Sequence, residues 1–216
     1  DDILDNKVDL NKKMYVSNKT NTRTFYRGMF KESFLANFDF DHMIDILHNF
    51  NNQYATLFDV KRESLYETFY IPKKSGGLRE INAPVPKLME ALRQLKTIFE
   101  VDMYALYHTS AFAYVKGRCT IDCVKKHQQN NSKWFAKLDF SNFFGSTTED
   151  FVMSMLSQIF PFSEIIKKEN GKAELKRALS LCFLKGGLPQ GTPISPTITN
   201  IMMIPIDFRM YNELRK

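Results

Sequence analysis

Gly187-Leu188-Pro189-Gln190-Gly191-Thr192-Pro193-Ile194-Ser195-Pro196 decides how the rest of the chain is read. A turn built from Gly, Pro, Gln and Gly that feeds a Ser-Pro helix start lets backbone come very close to a ligand. Glycine removes the Cβ that would block the approach, and proline fixes the entry angle. Upstream, 51 positions before Gln190, stands Asp139 in Lys137-Leu138-Asp139-Phe140-Ser141-Asn142-Phe143-Phe144. Its carboxylate is a hard oxygen ligand of the kind Mg²⁺ prefers.

The flanks of these two stretches give the organisation. Ser195 is expected to cap a final helix with Pro196 at its first position. Pro205 lies within that helical pattern and should kink or end it, at about 3 kcal/mol if the helix ran on unbroken. Leu175, Leu179, Cys182 and Phe183 mark another helix, and Ser146 and Glu149 have capping-box spacing for a helix over 151–159. Residues 133–140 predict a buried-type strand with Trp134, Ala136, Leu138 and Phe140 on one side. Thr120 is a candidate N-cap for a helix over 121–129.

Further upstream, Leu88, Leu92, Leu95 and Phe99 mark a helix that starts after Pro84 and Pro86. Two strand-like runs, 66–71 and 78–83, surround Lys73-Lys74-Ser75-Gly76-Gly77 and predict a hairpin. Met43, Ile46, Leu47 and Phe50 predict a helix capped by Asp39 or Asp41. The first 30 residues are polar, and residues 1–39 are expected to be an extension that is partly ordered at best. The order of elements predicts an α+β fold.

At 216 residues the chain can bury a substantial core. It has no run of about 18 apolar residues, so no membrane span is expected. The start Asp1-Asp2-Ile3-Leu4-Asp5 lacks the regions of a signal peptide. Cys119, Cys123 and Cys182 cannot form a fully paired framework, and the first two lack zinc-finger spacing. They predict reduced thiols in a cytoplasmic protein. His42, His48, His108 and His127 form no metal or triad spacing, and no Gly-Lys-Ser/Thr phosphate loop occurs. The formal charge is +6, yet residues 61–137 hold 14 Lys+Arg against 7 Asp+Glu. The whole excess therefore lies in one contiguous third, which favours a track for a polyanion through counterion release.

Four blocks together resemble prokaryotic reverse transcriptases, the retron and group II intron branch in particular. Asp139 followed by Phe143-Phe144 is similar to the first catalytic block, and Gly187 to Pro196 to the Leu-Pro-Gln-Gly-x-Pro-x-Ser-Pro block. Residues 69–84 are similar to the fingers hairpin, and residues 111–118 to the Gly-Arg segment before the palm. The resemblance spans roughly residues 66–207 and implies a right-hand polymerase, with fingers over 40–132 and the first part of the palm over 133–216.

It implies RNA-directed DNA polymerase activity, a nucleotidyl transfer assisted by two Mg²⁺ ions, on an RNA template with a DNA or RNA primer and deoxynucleoside triphosphates. A retron, a mobile intron or an antiviral defence system of bacterial or phage origin would encode such a chain, with room for a structured cognate RNA partner and none for a membrane. Asp139 and the backbone carbonyl of Phe140 would be metal ligands. Lys73 or its neighbour Lys74, with Arg79, would clamp the triphosphate, lysine as a point charge and arginine as a bidentate fork. The N–H groups near Asn142 and Phe143 would hold phosphate oxygens. Phe144 would exclude a ribose 2′-hydroxyl. Gln190 and Gly191 would lie beside the incoming nucleotide, and Lys116 and Arg118 would hold template phosphates.

The family's second acidic block, an aromatic-x-Asp-Asp hairpin, does not occur in the 26 residues after Gln190, and Asp207 comes too early to replace it. Thr147 stands where relatives often carry an apolar residue. The expectation is a piece of a longer polymerase, inactive by itself. A non-catalytic RNA-binding module that retains the polymerase scaffold is the rival, and so is an RNA-dependent RNA polymerase. Asp139, Phe144 and Gln190 together weigh against the first, and Phe144 against the second.

Overall fold

Met43, Leu47 and Phe50 recur at three and four residues, and all three are buried on the inner face of helix α1 (Phe40–Gln53). Asp39 caps this helix: its Oδ1 accepts from the His42 N–H at 2.9 Å, satisfying a donor that the first turn leaves free. Asp41 instead lies in the first turn and pairs with Lys168 at 2.5 Å. The computed structural model describes residues 38–74, 76–103 and 107–214, so the extension expected over 1–39 falls almost wholly outside them.

The hairpin forms as the alternation predicts. Strand β1 (Tyr66–Pro72) pairs antiparallel with β2 (Leu78–Pro84), in a register that sets Thr68 opposite Asn82 and Tyr70 opposite Glu80. Its turn closes through Gly77, whose carbonyl accepts from the Lys73 N–H at 3.0 Å. Val85 then hands the chain to α2 (Pro86–Thr97), with Pro86 in its first turn, where a missing N–H costs nothing. Leu88, Leu92 and Leu95 are wholly buried, each worth roughly 1.5–3 kcal/mol of transfer free energy. The helix passes into a single π turn over Ile98–Asp102, which places Phe99 against Phe162 at 5.1 Å.

Helix α3 (Thr120–Gln129) is capped one residue earlier than expected. Cys119 is its N-cap, and the Cys119 N–H donates to Asp122 at 2.8 Å. Four short helices follow: α4 (Phe143–Ser146), α5 (Glu149–Leu156), α6 (Phe162–Lys167) and α7 (Glu169–Ser180). Thr148, not Ser146, caps α5, because its hydroxyl accepts from the Phe151 N–H while Ser146 bonds back to the Asn142 and Phe143 carbonyls. Helix α7 packs on α1, where Asn51 Nδ2 donates to the Glu174 carboxylate at 2.6 Å. One apolar core therefore runs through residues on both sides of position 132.

Pro205 acts as expected. Helix α8 (Ser195–Met202) stops, and α9 (Ile204–Glu213) restarts with Pro205 in its first turn. Ser195 departs from its expected role. Its hydroxyl donates to the Pro189 carbonyl at 2.9 Å and its N–H reaches Thr192 Oγ1, so it ties down the preceding turn instead of capping.

The main departure is at residues 133–140, which form no strand and are exposed throughout. A strand is held by neighbours on its hydrogen-bonding edges, and among the described residues the one sheet is the β1–β2 pair. Trp134 is 92% exposed and Leu138 87%. Among the described residues no helix is long and apolar enough to cross a membrane.

Gly187 is the tightest backbone contact in this arrangement: a Cβ there would run into the Gly145 carbonyl. Gly186 beside it has φ +83° and open space around it. Gly187→Ala should therefore cost about 1–3 kcal/mol through overlap with backbone. Gly186→Ala should cost only about 1 kcal/mol from its left-handed conformation. Urea denaturation midpoints of the two variants read this ranking directly.

Candidate functional site

Three segments distant in sequence meet around a cleft of about 360 Å³. Strand β2 forms one wall. On its outer edge the Asn82 N–H donates to the Gln190 carbonyl at 2.8 Å. Gly191, at φ +110°, presses so close that a Cβ would lie 2.9 Å from Ile81 and 3.0 Å from the Asn82 carbonyl. The Leu188 N–H donates to the Phe144 carbonyl at 2.9 Å, joining the Gln190 turn to α4. Thus the turn is bound by backbone on both sides, and glycine is required at both contacts.

Of the residues singled out in the sequence, Lys73, Arg79, Asn142 and Gln190 line this cleft together. Lys74 is exposed and does not line it. Asn142 enters α4 with φ +49°, a left-handed conformation that asparagine tolerates better than most residues. Phe143 and Phe144 are half-buried and pack on the core. Phe140 stacks on Phe143 at 5.3 Å, and Phe143 meets Phe144 edge-on at 5.8 Å. Asp139, next to Phe140, is exposed and stands outside the cleft lining.

Lys116 is exposed on the loop 107–118. Arg118 is turned inward on the same loop: its Nη1 donates to the carbonyls of His108 and Ala111, both at 2.6 Å. Asn200 on α8 reaches the Ala113 carbonyl at 2.9 Å, so this loop is pinned to the helices below it.

Sequence reasoning passed over three cleft residues. Glu80 accepts from Lys185 Nζ at 3.1 Å, Asn82 Nδ2 at 3.2 Å and Tyr70 Oη at 3.3 Å. The Lys185 hydrogen bond, followed by that of Asn82, holds the Glu80 carboxyl below its ordinary range. Lys185 and Gly186 are the central pair of a tight turn closed by Leu184 and Gly187, with φ +52° and +83°. The available signal was the polar period of two over Thr68, Tyr70, Glu80 and Asn82, which marks one face of the hairpin.

Among the described residues no group of three His, Cys, Asp or Glu could hold a metal ion. Asp139 offers one hard oxygen donor of the type Mg²⁺ takes, but these residues alone do not build a magnesium site.

Residues 71–214 match the family described as reverse transcriptase (RNA-dependent DNA polymerase). The chain is 31% identical over 150 residues to the retron Ec83 reverse transcriptase of Escherichia coli, covering 66% of this chain and 45% of that protein. It is 28% identical over 148 residues to the retron Ec73 reverse transcriptase of the same organism, covering 67% and 45%. It is also 28% identical over 146 residues to the putative COX1/OXI3 intron 1 protein of Saccharomyces cerevisiae, covering 63% of this chain and 17% of that protein. The chain thus spans less than half the length of these relatives.

His108, at the start of the loop that carries Lys116, gives this region a pH signature. It is buried edge-on to Phe208 at 4.3 Å, and burial pushes its imidazole down to about 4, with Lys126 and Arg118 adding to the effect. The fold keeps the neutral ring, so this contribution to stability is present above 6.5 and is lost as pH falls through about 4. Asp207, pushed up to about 6 by burial, acts in the opposite sense: its contribution is present below 3.8 and is lost as pH rises through about 6. Amide exchange over 107–118, corrected for its intrinsic rate, should accelerate as pH falls from 6.5 relative to the same segment in a variant without the His108 imidazole. His108→Gln should flatten that response.

Proposed function

This chain belongs to the reverse transcriptase family, and on that premise we propose that it supplies the fingers (40–132) and the first part of the palm (133–216) of a longer RNA-directed DNA polymerase. What supports the reading is the cleft, where Lys73 and Arg79 of the hairpin face Asn142 and Gln190 from the two loops. Two cations and uncharged hydrogen-bonding groups suit a triphosphate joined to a sugar and a base. Arg79 takes two phosphate oxygens in its planar fork, and Lys73 supplies a point charge. The carbonyl of Gln190 is held by the Asn82 N–H, which leaves its side chain to the nucleotide.

In the reaction a primer 3′-oxygen attacks the α-phosphorus of a deoxynucleoside triphosphate. A new O–P bond forms, the bond from the α-phosphorus to the bridging oxygen breaks, and pyrophosphate leaves with both electrons. Lys73 and Arg79 balance the charge on that leaving group. Asp139 and the Phe140 carbonyl would hold one side of a magnesium ion, whose site further carboxylates of a longer chain would have to complete. Bound magnesium supplies charge neutralisation at the phosphoryl group. Phe144 stands under the sugar and leaves no room for a 2′-hydroxyl. Lys116 meets template phosphate on a loop that Arg118 holds in shape.

In the full-length polymerase, Asp139→Ala should abolish extension of a primed RNA template and leave RNA binding nearly intact. Retained extension removes Asp139 from this role. Phe144→Ala should raise ribonucleotide use relative to deoxynucleotide use by about 10-fold, the scale of one steric contact. An unchanged ratio returns Phe144 to the core.

A further inference from the structure

Glu80 is the one carboxylate among the described residues lining the cleft, and it faces a site otherwise furnished with Lys73, Arg79 and Lys185. Left alone, it would repel an incoming triphosphate and compete for the two hairpin cations. Lys185 takes it instead, at 3.1 Å. That contact joins β2 to the turn that precedes Gln190, 105 positions away in sequence.

Lys185 reaches Glu80 from an unfavourable backbone conformation. Its φ of +52° is left-handed, a region that long side chains rarely occupy and that glycine or asparagine fills more easily. Such a position persists when the surrounding structure gains from it. Global stability is a weak candidate for that gain. The two side chains are 59% and 37% exposed, and pairs so open to water add little to folding.

The partners of Glu80 suggest where the gain lies. Asn82 Nδ2 also donates to Glu80, Thr68 Oγ1 donates to Asn82 Oδ1 at 2.9 Å, and the Asn82 N–H holds the Gln190 carbonyl. Lys185, Glu80, Asn82 and Gln190 thus form a closed circuit between hairpin and turn.

We propose that Glu80 and Lys185 are a latch that positions Gln190 and screens the Glu80 charge from the nucleotide. This rests on the reading of the cleft as a nucleotide site. Both are positioning residues. The latch presets the distance between the hairpin wall and the Gln190 turn before nucleotide arrives, so less ordering remains to be done on binding.

The test uses single-nucleotide extension by the full-length polymerase. Lys185→Met leaves Glu80 uncompensated and should raise the deoxynucleotide KM by about 10-fold with kcat within about twofold. The double variant Glu80→Gln/Lys185→Met removes both charges and should recover the part of that loss due to the bare Glu80 carboxylate, keeping the part due to lost positioning, while template affinity and the melting temperature stay unchanged. Hydrogen exchange over residues 78–84 gives a reading without nucleotide, because Lys185→Met should deprotect the Asn82 amide.

An active polymerase whose KM does not respond to Lys185→Met overturns the latch. So does a KM defect equal in the single and double variants, or one that follows a fall in melting temperature. A wild-type enzyme that incorporates no nucleotide, with Asn82 still deprotected in Lys185→Met, overturns the polymerase reading and supports the latch as a link between hairpin and turn.

Discussion

Backbone lying on backbone is the constraint from which the cleft follows. Gly187 rests against the Gly145 carbonyl, and Gly191 rests against the Asn82 carbonyl. Between these contacts, Leu188 bonds to Phe144 and Gln190 bonds to Asn82. The span from Gly187 to Gly191 is therefore gripped from both sides by main-chain groups, whose positions do not depend on rotamers. Ser195 and Thr192 close it from below through the Pro189 carbonyl and each other. A side chain carried on such a span is aimed by the fold itself, which is what a site needs when the ligand must meet several groups at once.

Electrostatics then act within this frame. The basic third of the sequence folds into the hairpin, α2, the loop over 107–118, α3 and the exposed run that follows it, so charge that is contiguous in the chain is spread over several surfaces. Only part of it reaches the cleft, through Lys73 and Arg79. Arg118 is spent on carbonyl oxygens of its own loop. A count of cations along a sequence thus overstates what any one ligand meets.

Much of the fold was legible because local rules and tertiary packing agree. The spacing of Met43, Leu47 and Phe50 gave α1, the Gly-Gly turn gave the hairpin, and Pro205 separated the last two helices. Where they disagree, sequence reasoning failed for identifiable reasons. Ser146 and Ser195 have cap-like positions, yet their hydroxyls find nearer carbonyls, which spacing cannot reveal. The clustering of Lys73, Arg79, Asn142 and Gln190 came from motif resemblance. Lys185 escaped notice because its importance lies in a backbone angle and a partner 105 residues away. Residues 133–140 carry a strand's alternation, but alternation specifies only which face is apolar and supplies no neighbouring strand.

That unpaired run has a practical side. Trp134, Phe135, Leu138 and Phe140 are all exposed, and a cluster of large apolar side chains in solvent favours association. Lys133, Lys137 and Asp139 are interspersed among them, and charges at such positions oppose self-association. Asp139, proposed above as a metal ligand, is thus also one of the charges that interrupt this apolar run. Any neutral replacement at position 139, alanine or asparagine alike, removes that charge together with the carboxylate, whereas glutamate keeps the charge and moves the oxygens by one methylene.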